Sequence, residues 1–217
     1  MQFTDNGAGD AAALATDIRS GAGQLGMTLP GDSADRLACY LLLLERWNRV
    51  YNLTAIREPR AMVSGHVLDC LASLPWVRGP RVLDVGSGAG LPGIVLALAA
   101  PALTVTVLDS NIKKTRFLTQ CVIELQLANV QVVRQRVQDF ETGENFDTIV
   151  SRAFASFPEM VRVTAHLGCA GQRVLSLKGP GTERDSADPA LVAKQREQAI
   201  TVPGLEAVRR IVWLDRT

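Results

Sequence analysis

The sequence predicts an α/β fold: a mostly parallel sheet with helices on both faces, preceded by a helical N-terminal extension. Three observations predict it. Short apolar runs alternate with helix-period segments from Arg81 onward, the first of these runs enters a glycine-rich loop, and apolar residues recur every three or four positions ahead of it. Such alternation implies right-handed crossovers joining parallel strands.

Residues 1–31 are rich in Gly, Ala and Asp, show no sustained periodicity and end at Pro30-Gly31, so they are expected to form a flexible, frayed or weakly helical lead-in. Residues 32–217 are expected to form one domain, with 32–75 as its helical extension. Asp32 or Ser33 caps a helix whose stripe of Leu37, Leu41, Leu44, Trp47 and Tyr51 carries it to about Val50. A second helix follows, roughly from Pro59 to Leu74. Arg81 to Val85 then reads as a buried strand, Leu91 to Ala100 as a helix, Leu103 to Leu108 as a strand and Lys113 to Gln126 as a helix. Strands at Val130 to Arg134 and Phe146 to Val150, a helix at Pro158 to Leu167 and a strand at Gln172 to Leu177 continue the alternation. From Pro189 the chain offers one helix and a final strand near Arg210 to Leu214, which predicts an abbreviated sheet edge.

Composition narrows the function classes. The 217 residues suit one domain, and 47% apolar with 21% charged residues excludes a disordered or collagen-like chain. The densest apolar run, Ile94 to Leu108, is broken by Pro101 and two threonines and does not span a membrane. The N-terminus carries Asp5, Asp10 and Asp17 with no early cation, unlike a secretory signal, so a cytoplasmic protein is expected. Cys39, Cys70, Cys121 and Cys169 are scattered without a C-x-x-C pair, so neither a disulfide framework nor a metal site is expected. With 23 Lys and Arg against 22 Asp and Glu, the net charge of +1 means that any nucleic-acid partner is held by a local patch.

The run Asp84-Val85-Gly86-Ser87-Gly88-Ala89-Gly90-Leu91-Pro92-Gly93 sits between a strand and a helix, where missing side chains let backbone approach a nucleotide. From Gly88 it reads G-x-G-x-x-G, the dinucleotide fingerprint; from Asp84 it reads D-x-G-x-G-x-G. A carboxylate at Asp84 would repel a pyrophosphate but suits a ligand bearing an ammonium and a sulfonium. Asp109 closes the next strand about 20 residues on, where it can grip two ribose hydroxyls. Both favour S-adenosylmethionine over NAD. An NAD-dependent oxidoreductase stays open as the alternative, although no Tyr-x-x-x-Lys pair occurs. The chain has no P-loop and no G-x-S-x-G elbow, which argues against NTP hydrolysis and serine hydrolysis.

The acceptor of a methyl group leaves its own marks. Exocyclic-amine methyltransferases resemble one another in an (Asp/Asn)-Pro-Pro-aromatic segment after the fourth strand, where this chain reads Ser151-Arg152-Ala153-Phe154. Pyrimidine-carbon methylation needs a cysteine nucleophile on a loop, whereas Cys121 falls within a helix. A ring nitrogen such as guanine N7 has an in-plane lone pair and needs no base, only recognition by cations and stacking by an aromatic. Arg134, Arg136, Arg152 and Phe154 fall at strand ends on the ligand side, and Lys113, Lys114 and Arg116 start the neighbouring helix.

Taken in order, Asn52-Leu53-Thr54-Ala55-Ile56-Arg57, His66-Val67-Leu68-Asp69-Cys70-Leu71, Asp84 to Gly93, Leu108-Asp109-Ser110 with Lys113-Lys114, Arg136-Val137, Ser151 to Phe154 and Lys178-Gly179 resemble the ribosomal RNA small subunit methyltransferase G family, also called glucose-inhibited division protein B. The likeness covers about Leu37 to Gly179. It implies a Rossmann-like class I methyltransferase that uses S-adenosylmethionine to form 7-methylguanosine at guanosine 527 of bacterial 16S rRNA, with the rRNA or the small ribosomal subunit as partner and a monomer as the working form. By the same likeness Gly86, Gly88 and Leu91 join Asp84 and Asp109 around the cofactor, Val137 and Gln138 flank the adenine, and Arg152 lies at the cofactor and target boundary. Arg136, Arg152 and Lys178 are the implied catalytic or substrate-side cations, and His66 and Asp69 occupy a helix lining the pocket. A non-catalytic RNA-binding module on the same fold is a further alternative. Cys70 stands where the family more often has serine.

Overall fold

The computed structural model describes residues 5–152, 154, 156–180 and 194–217. Seven strands form one sheet: β1 (Arg81–Val85), β2 (Thr104–Leu108), β3 (Val130–Val133), β4 (Thr148–Ser151), β5 (Arg173–Lys178), β6 (Arg196–Ile200) and β7 (Arg209–Asp215). Their order is β3-β2-β1-β4-β5-β7-β6. β1 to β5 pair in parallel, and β7 runs antiparallel to both β5 and β6. The chain passes from β1 outward to β3, then returns to the far side of β1 through β4. Ligands of open α/β sheets sit where the order reverses in this way, at the carboxyl ends of the strands.

Among the described residues the α-helices are α1 (Asp5–Gln24), α2 (Ser33–Tyr51), α3 (Pro59–Met62), α4 (Asp69–Leu71), α5 (Gly93–Ala99), α6 (Ile112–Glu124) and α7 (Phe157–Val163). A π-helical segment, Val63–Leu68, joins α3 to α4, so the single helix expected from Pro59 to Leu74 is instead a helical run with a wide turn inside it. Because strand side chains alternate, Val82 of β1 joins the core on the face carrying α1, α2, α5 and α6, while Leu83 and Val85 join the core under α7. The two apolar layers thus lie on opposite faces of one sheet.

Two expectations fail. The N-terminal lead-in is helical rather than frayed over its described length: residues 5–24 are a helix packed on α2, burying Leu14, Ala15, Ile18 and Ala22. Its buried stripe is half alanine, so it stands out weakly in hydropathy, and tertiary packing rather than intrinsic propensity stabilises it. The C-terminal sheet edge is not abbreviated either. β6 reads Arg-Glu-Gln-Ala-Ile, is almost wholly exposed and, among the described residues, pairs only with β7. A charged edge strand carries no apolar alternation to reveal it. The helix expected from Pro189 begins within residues 181–193, which lie outside the described residues, and from Arg196 the chain is strand β6 instead. Among the described residues no helix is long and apolar enough to cross a membrane.

Candidate active site

β1 delivers Asp84 to the switch point with its side chain fully buried. Its Oδ2 accepts hydrogen bonds from Ser87 Oγ at 2.5 Å and from the Gly93 amide at 2.8 Å, so one oxygen ties both ends of the glycine loop together. Its Oδ1 is buried without a hydrogen-bond partner among the described residues. Burial raises the Asp84 carboxyl to about 6 despite the Ser87 and Gly93 hydrogen bonds that pull it down. An unpaired, buried carboxylate oxygen is costly unless a ligand completes it.

The loop turns over the end of β2: the Gly86 and Ser87 amides both donate to the Leu108 carbonyl, at 2.8 and 3.1 Å. Gly86 has φ +68°, and a Cβ placed on it would meet nothing within 4 Å, which leaves open space above the turn. At Gly93 the reason for glycine is contact, since a Cβ would lie 2.6 Å from Val107 Cγ1 and 2.7 Å from Asp84 Oδ2. Asp109, at the end of β2, accepts from the Gly88 amide at 3.0 Å and from the Asn111 amide at 2.8 Å. A carboxylate offers about four acceptor sites, and Lys114 Nζ approaches Asp109 Oδ2 only to 3.7 Å, so acceptor capacity remains for hydroxyls. Asp84, Gly86, Gly88 and Asp109 therefore converge on one place. Leu91 follows the same loop but its side chain is buried in the core, and its peptide bond to Pro92 is cis.

Tyr40 was invisible as a site residue. From α2 its fully buried hydroxyl donates to the Ala89 carbonyl at 2.7 Å, clamping the glycine loop from the helical extension. In the sequence it sits within the apolar half of a helix and reads as core.

The cations separate into two places. Arg152, directly after β4, donates to the Gly65 carbonyl at 3.0 Å, and its guanidinium lies 3.2 and 3.3 Å from His66 Nδ1 and 3.4 Å from Asp69 Oδ2. His66 Nδ1 lies 2.8 Å from the Gly65 carbonyl, which can only accept, so the neutral ring carries its proton on Nδ1 and Nε2 accepts from Thr54 Oγ1 at 2.7 Å. Burial, reinforced by the Arg152 charge, lowers the His66 imidazole to about 4, so the ring is neutral. Asp69 bridges Arg152 to Arg209 of β7, whose Nε lies 3.2 Å from its other oxygen. Burial raises the Asp69 carboxyl while the two arginines pull it down. The π-helical segment thus earns its place by aiming Gly65 O and His66 at Arg152, consistent with such turns occurring at functional sites.

Arg152, Lys178 and Arg209 share a cavity of about 280 Å³ with Gly65, Asp69 and Gly179. Lys178 Nζ donates to the Phe154 carbonyl at 3.2 Å. Arg136 does not line this cavity. It is exposed beyond β3, as the residue preceding a 3-10 turn at Val137–Asp139. Val137 is buried in the core layer under α7, and Gln138 is exposed. Among the described residues no group of three or more His, Cys, Asp or Glu could hold a metal ion.

The loop fits an adenosylated cation better than a dinucleotide. The unpaired Asp84 oxygen calls for a donor or a positive charge, and a pyrophosphate beside it would be repelled.

Comparison with known proteins bears directly on this geometry. A family model described as rRNA small subunit methyltransferase G matches residues 33–212. Relatives named ribosomal RNA small subunit methyltransferase G include one from Alkalilimnicola ehrlichii, 48% identical over 90% of this chain and 89% of its own length. One from Laribacter hongkongensis is 46% identical, covering 93% and 98%, and one from Pseudomonas aeruginosa is 45% identical, covering 94% and 96%. In three dimensions the chain is similar to the O-methyltransferase TomG from Streptomyces achromogenes, with TM-score 0.58, 15% identity and coverage of 91% of this chain and 96% of that one. It is also similar to cofactor-bound Rv0187 from MTB, with TM-score 0.56, 20% identity and coverage of 83% and 89%. Those two likenesses speak to the fold, that of a class I methyltransferase, which is the fold expected from the sequence. The family match runs from α2 into β7, through every element that builds the cleft, and on that ground this chain belongs to the rRNA small subunit methyltransferase G family.

Proposed function

We propose that this chain transfers a methyl group from S-adenosylmethionine to N7 of guanosine 527 in bacterial 16S rRNA, acting in the cytoplasm as a monomer on the rRNA or the small ribosomal subunit. The observation that carries the reading is the buried, unpaired Oδ1 of Asp84 at the rim of a glycine turn with open space above Gly86. When bound, S-adenosylmethionine supplies a methyl carbon made electrophilic by its sulfonium.

The chain's own residues do the rest. Asp84 accepts from the ammonium of the methionine moiety, Asp109 accepts from the ribose hydroxyls, and Gly86 and Gly88 let backbone come close. Leu91 holds the far side of the loop through its buried side chain. Val137 forms an apolar floor from the layer beneath the loop, with exposed Gln138 beside the adenine edge. Arg152 and Lys178 face one cavity and can direct their donors at guanine O6 or flanking phosphates. Arg136, exposed past β3, docks RNA rather than the target base. Guanine N7 carries its lone pair in the ring plane, so alignment replaces a general base. That suits a cleft whose histidine is neutral and donates its one ring proton to the Gly65 carbonyl.

Calorimetry with S-adenosylhomocysteine tests the cofactor half: wild type binds, and Gly86→Arg, which fills the space above the turn, does not. Equal binding by both would overturn the site. Base-resolution mapping of methyl groups in small subunits from a deletion strain, before and after treatment with the enzyme, tests the target. A methyl group at any other nucleotide would overturn that assignment.

A further inference from the structure

A second opening of about 410 Å³ lies away from this cleft, at the β3 edge of the sheet. Val132 of β3 and Trp47 of α2 form its apolar wall; Arg116, Thr119 and Gln120 of α6, with Arg134 just past β3, form its polar one. The indole of Trp47 is fixed by neighbours, its centroid 5.7 Å from that of Phe117 and 5.3 Å from that of Tyr51. Arg116 and Arg134 are both exposed, and neither guanidinium has a hydrogen-bond or ion-pair partner among the described residues. No carboxylate lines the opening. The acid one turn further along α6, Glu124, is held by Arg46 at 2.9 Å and by Gln120 at 2.8 Å. Two uncompensated guanidiniums at one apolar-walled opening fit an anionic ligand with a flat face.

The opening lies at the same end of the sheet as the cleft. Arg134 follows β3, and the Asp109 amide donates to the Val133 carbonyl at 3.2 Å, so the end of β3 abuts the acid that closes β2. The strand order places β3 three positions from β4, which ends at Arg152. At about 4.8 Å per strand, that is a lateral separation of about 14 Å, or about four nucleotide steps at roughly 3.4 Å each in a stacked strand and fewer in a splayed one.

We propose that this opening is an exosite for the substrate RNA. An unstacked base within about four nucleotides of the target enters it against Trp47, and Arg116 and Arg134 hold the adjoining phosphates. The inference rests on the rRNA methyltransferase reading and adds to it a second point of attachment, contributed jointly by the helical extension and the β3 edge. The exosite fixes which strand segment crosses the cleft; it does not touch the reacting atoms.

The test is steady-state methylation of unmethylated small subunits by the full chain carrying Arg116→Ala and Arg134→Ala together. Because both side chains are exposed, the variant is expected to fold as wild type does. The exosite requires KM to rise on the order of tenfold with kcat within about twofold, affinity for S-adenosylhomocysteine unchanged, and the logarithmic salt slope of RNA binding to fall by about 1.4 for two single-strand phosphate contacts. Trp47→Leu, which keeps an apolar contact to Phe117, is expected to raise KM without lowering affinity for S-adenosylhomocysteine. A short oligonucleotide ending one nucleotide on either side of the target is expected not to distinguish wild type from the double variant. Unchanged KM and salt slope on the full substrate overturn the exosite, as does an equal loss on the short oligonucleotide, which would move the arginines into the cleft. Unchanged KM for Trp47→Leu overturns the stacking. A wild-type protein that methylates no RNA overturns the proposed function itself, a result distinct from every other.

Discussion

Tyr40→Phe removes one oxygen and leaves the ring, so it isolates the clamp between α2 and the glycine loop. The lost hydrogen bond, 2.7 Å long and wholly buried, contributes about 0.5–1.5 kcal/mol net, and leaving a buried carbonyl unpaired costs about 1–3 kcal/mol. The phenol is raised well above its ordinary range by burial, so it is a neutral donor at every working pH. A loss of about 1–3 kcal/mol in a chain of this size lowers Tm by roughly 2–4 °C per kcal/mol. The loop is then less ordered before the cofactor arrives, and ordering it draws on binding energy. If about 1 kcal/mol of the clamp is spent this way, Kd for S-adenosylhomocysteine rises about fivefold. Differential scanning calorimetry and isothermal titration calorimetry on the same samples measure both quantities. A lowered Tm with an unchanged Kd would refute the reasoning, because it would make Tyr40 a core residue whose hydroxyl does nothing for the loop.

Further outcomes follow from the same geometry. Gly86→Ala and Gly93→Ala are expected to behave oppositely. At Gly86 the added methyl meets open space and costs about 1–2 kcal/mol of left-handed strain, so Kd rises far more than Tm falls. At Gly93 it strikes Val107 and Asp84 and costs about 1–3 kcal/mol of overpacking, so thermal melting shows the larger change. Asp84 is held up to about 6 by burial, above its value in the unfolded chain. Its contribution to apoprotein stability is therefore full in acid and is lost as pH rises through about 6. Cofactor binding favours the ionised form, so Kd weakens as pH falls from 7 to 5, at most about tenfold per unit, with proton release measurable by calorimetry in two buffers. Asp84→Asn flattens that dependence, and a slope surviving in it would assign the titration elsewhere. Asp69→Asn removes the only charge that Arg152 and Arg209 share among the described residues and is expected to lower kcat on the order of tenfold or more, about 1.4 kcal/mol per decade. Cofactor affinity should stay within about twofold; kinetics showing intact kcat would make the bridge purely structural.

Much of the fold was legible because its signals are local. The five parallel strands and their helices follow from apolar runs and punctuation, and Asp84, Gly86, Gly88 and Asp109 follow from the chemistry of a strand-to-helix turn. What escaped had no local signal. α1 hides behind alanines, and β6 is a strand only because β7 offers it a partner. The wide helical turn at Val63–Leu68 cannot be told by periodicity from an ordinary helix. Arg152 reads as a residue at an open strand end, whereas its side chain is only 21% exposed and is held by Gly65, His66 and Asp69.

By itself, then, the sequence determined the order of the parallel strands and the helices between them, the nucleotide turn and the sign of charge around it, because each depends on residues within a few positions of one another. Only the tertiary structure decided which side chains share a cavity. It grouped Arg152 with Lys178 and Arg209, sent Arg134 with Arg116 and Trp47 to another opening, and set the Tyr40 hydroxyl against Ala89, 49 residues away. Strand order and helix docking set those meetings, and neither is encoded in any window short enough to read along the chain.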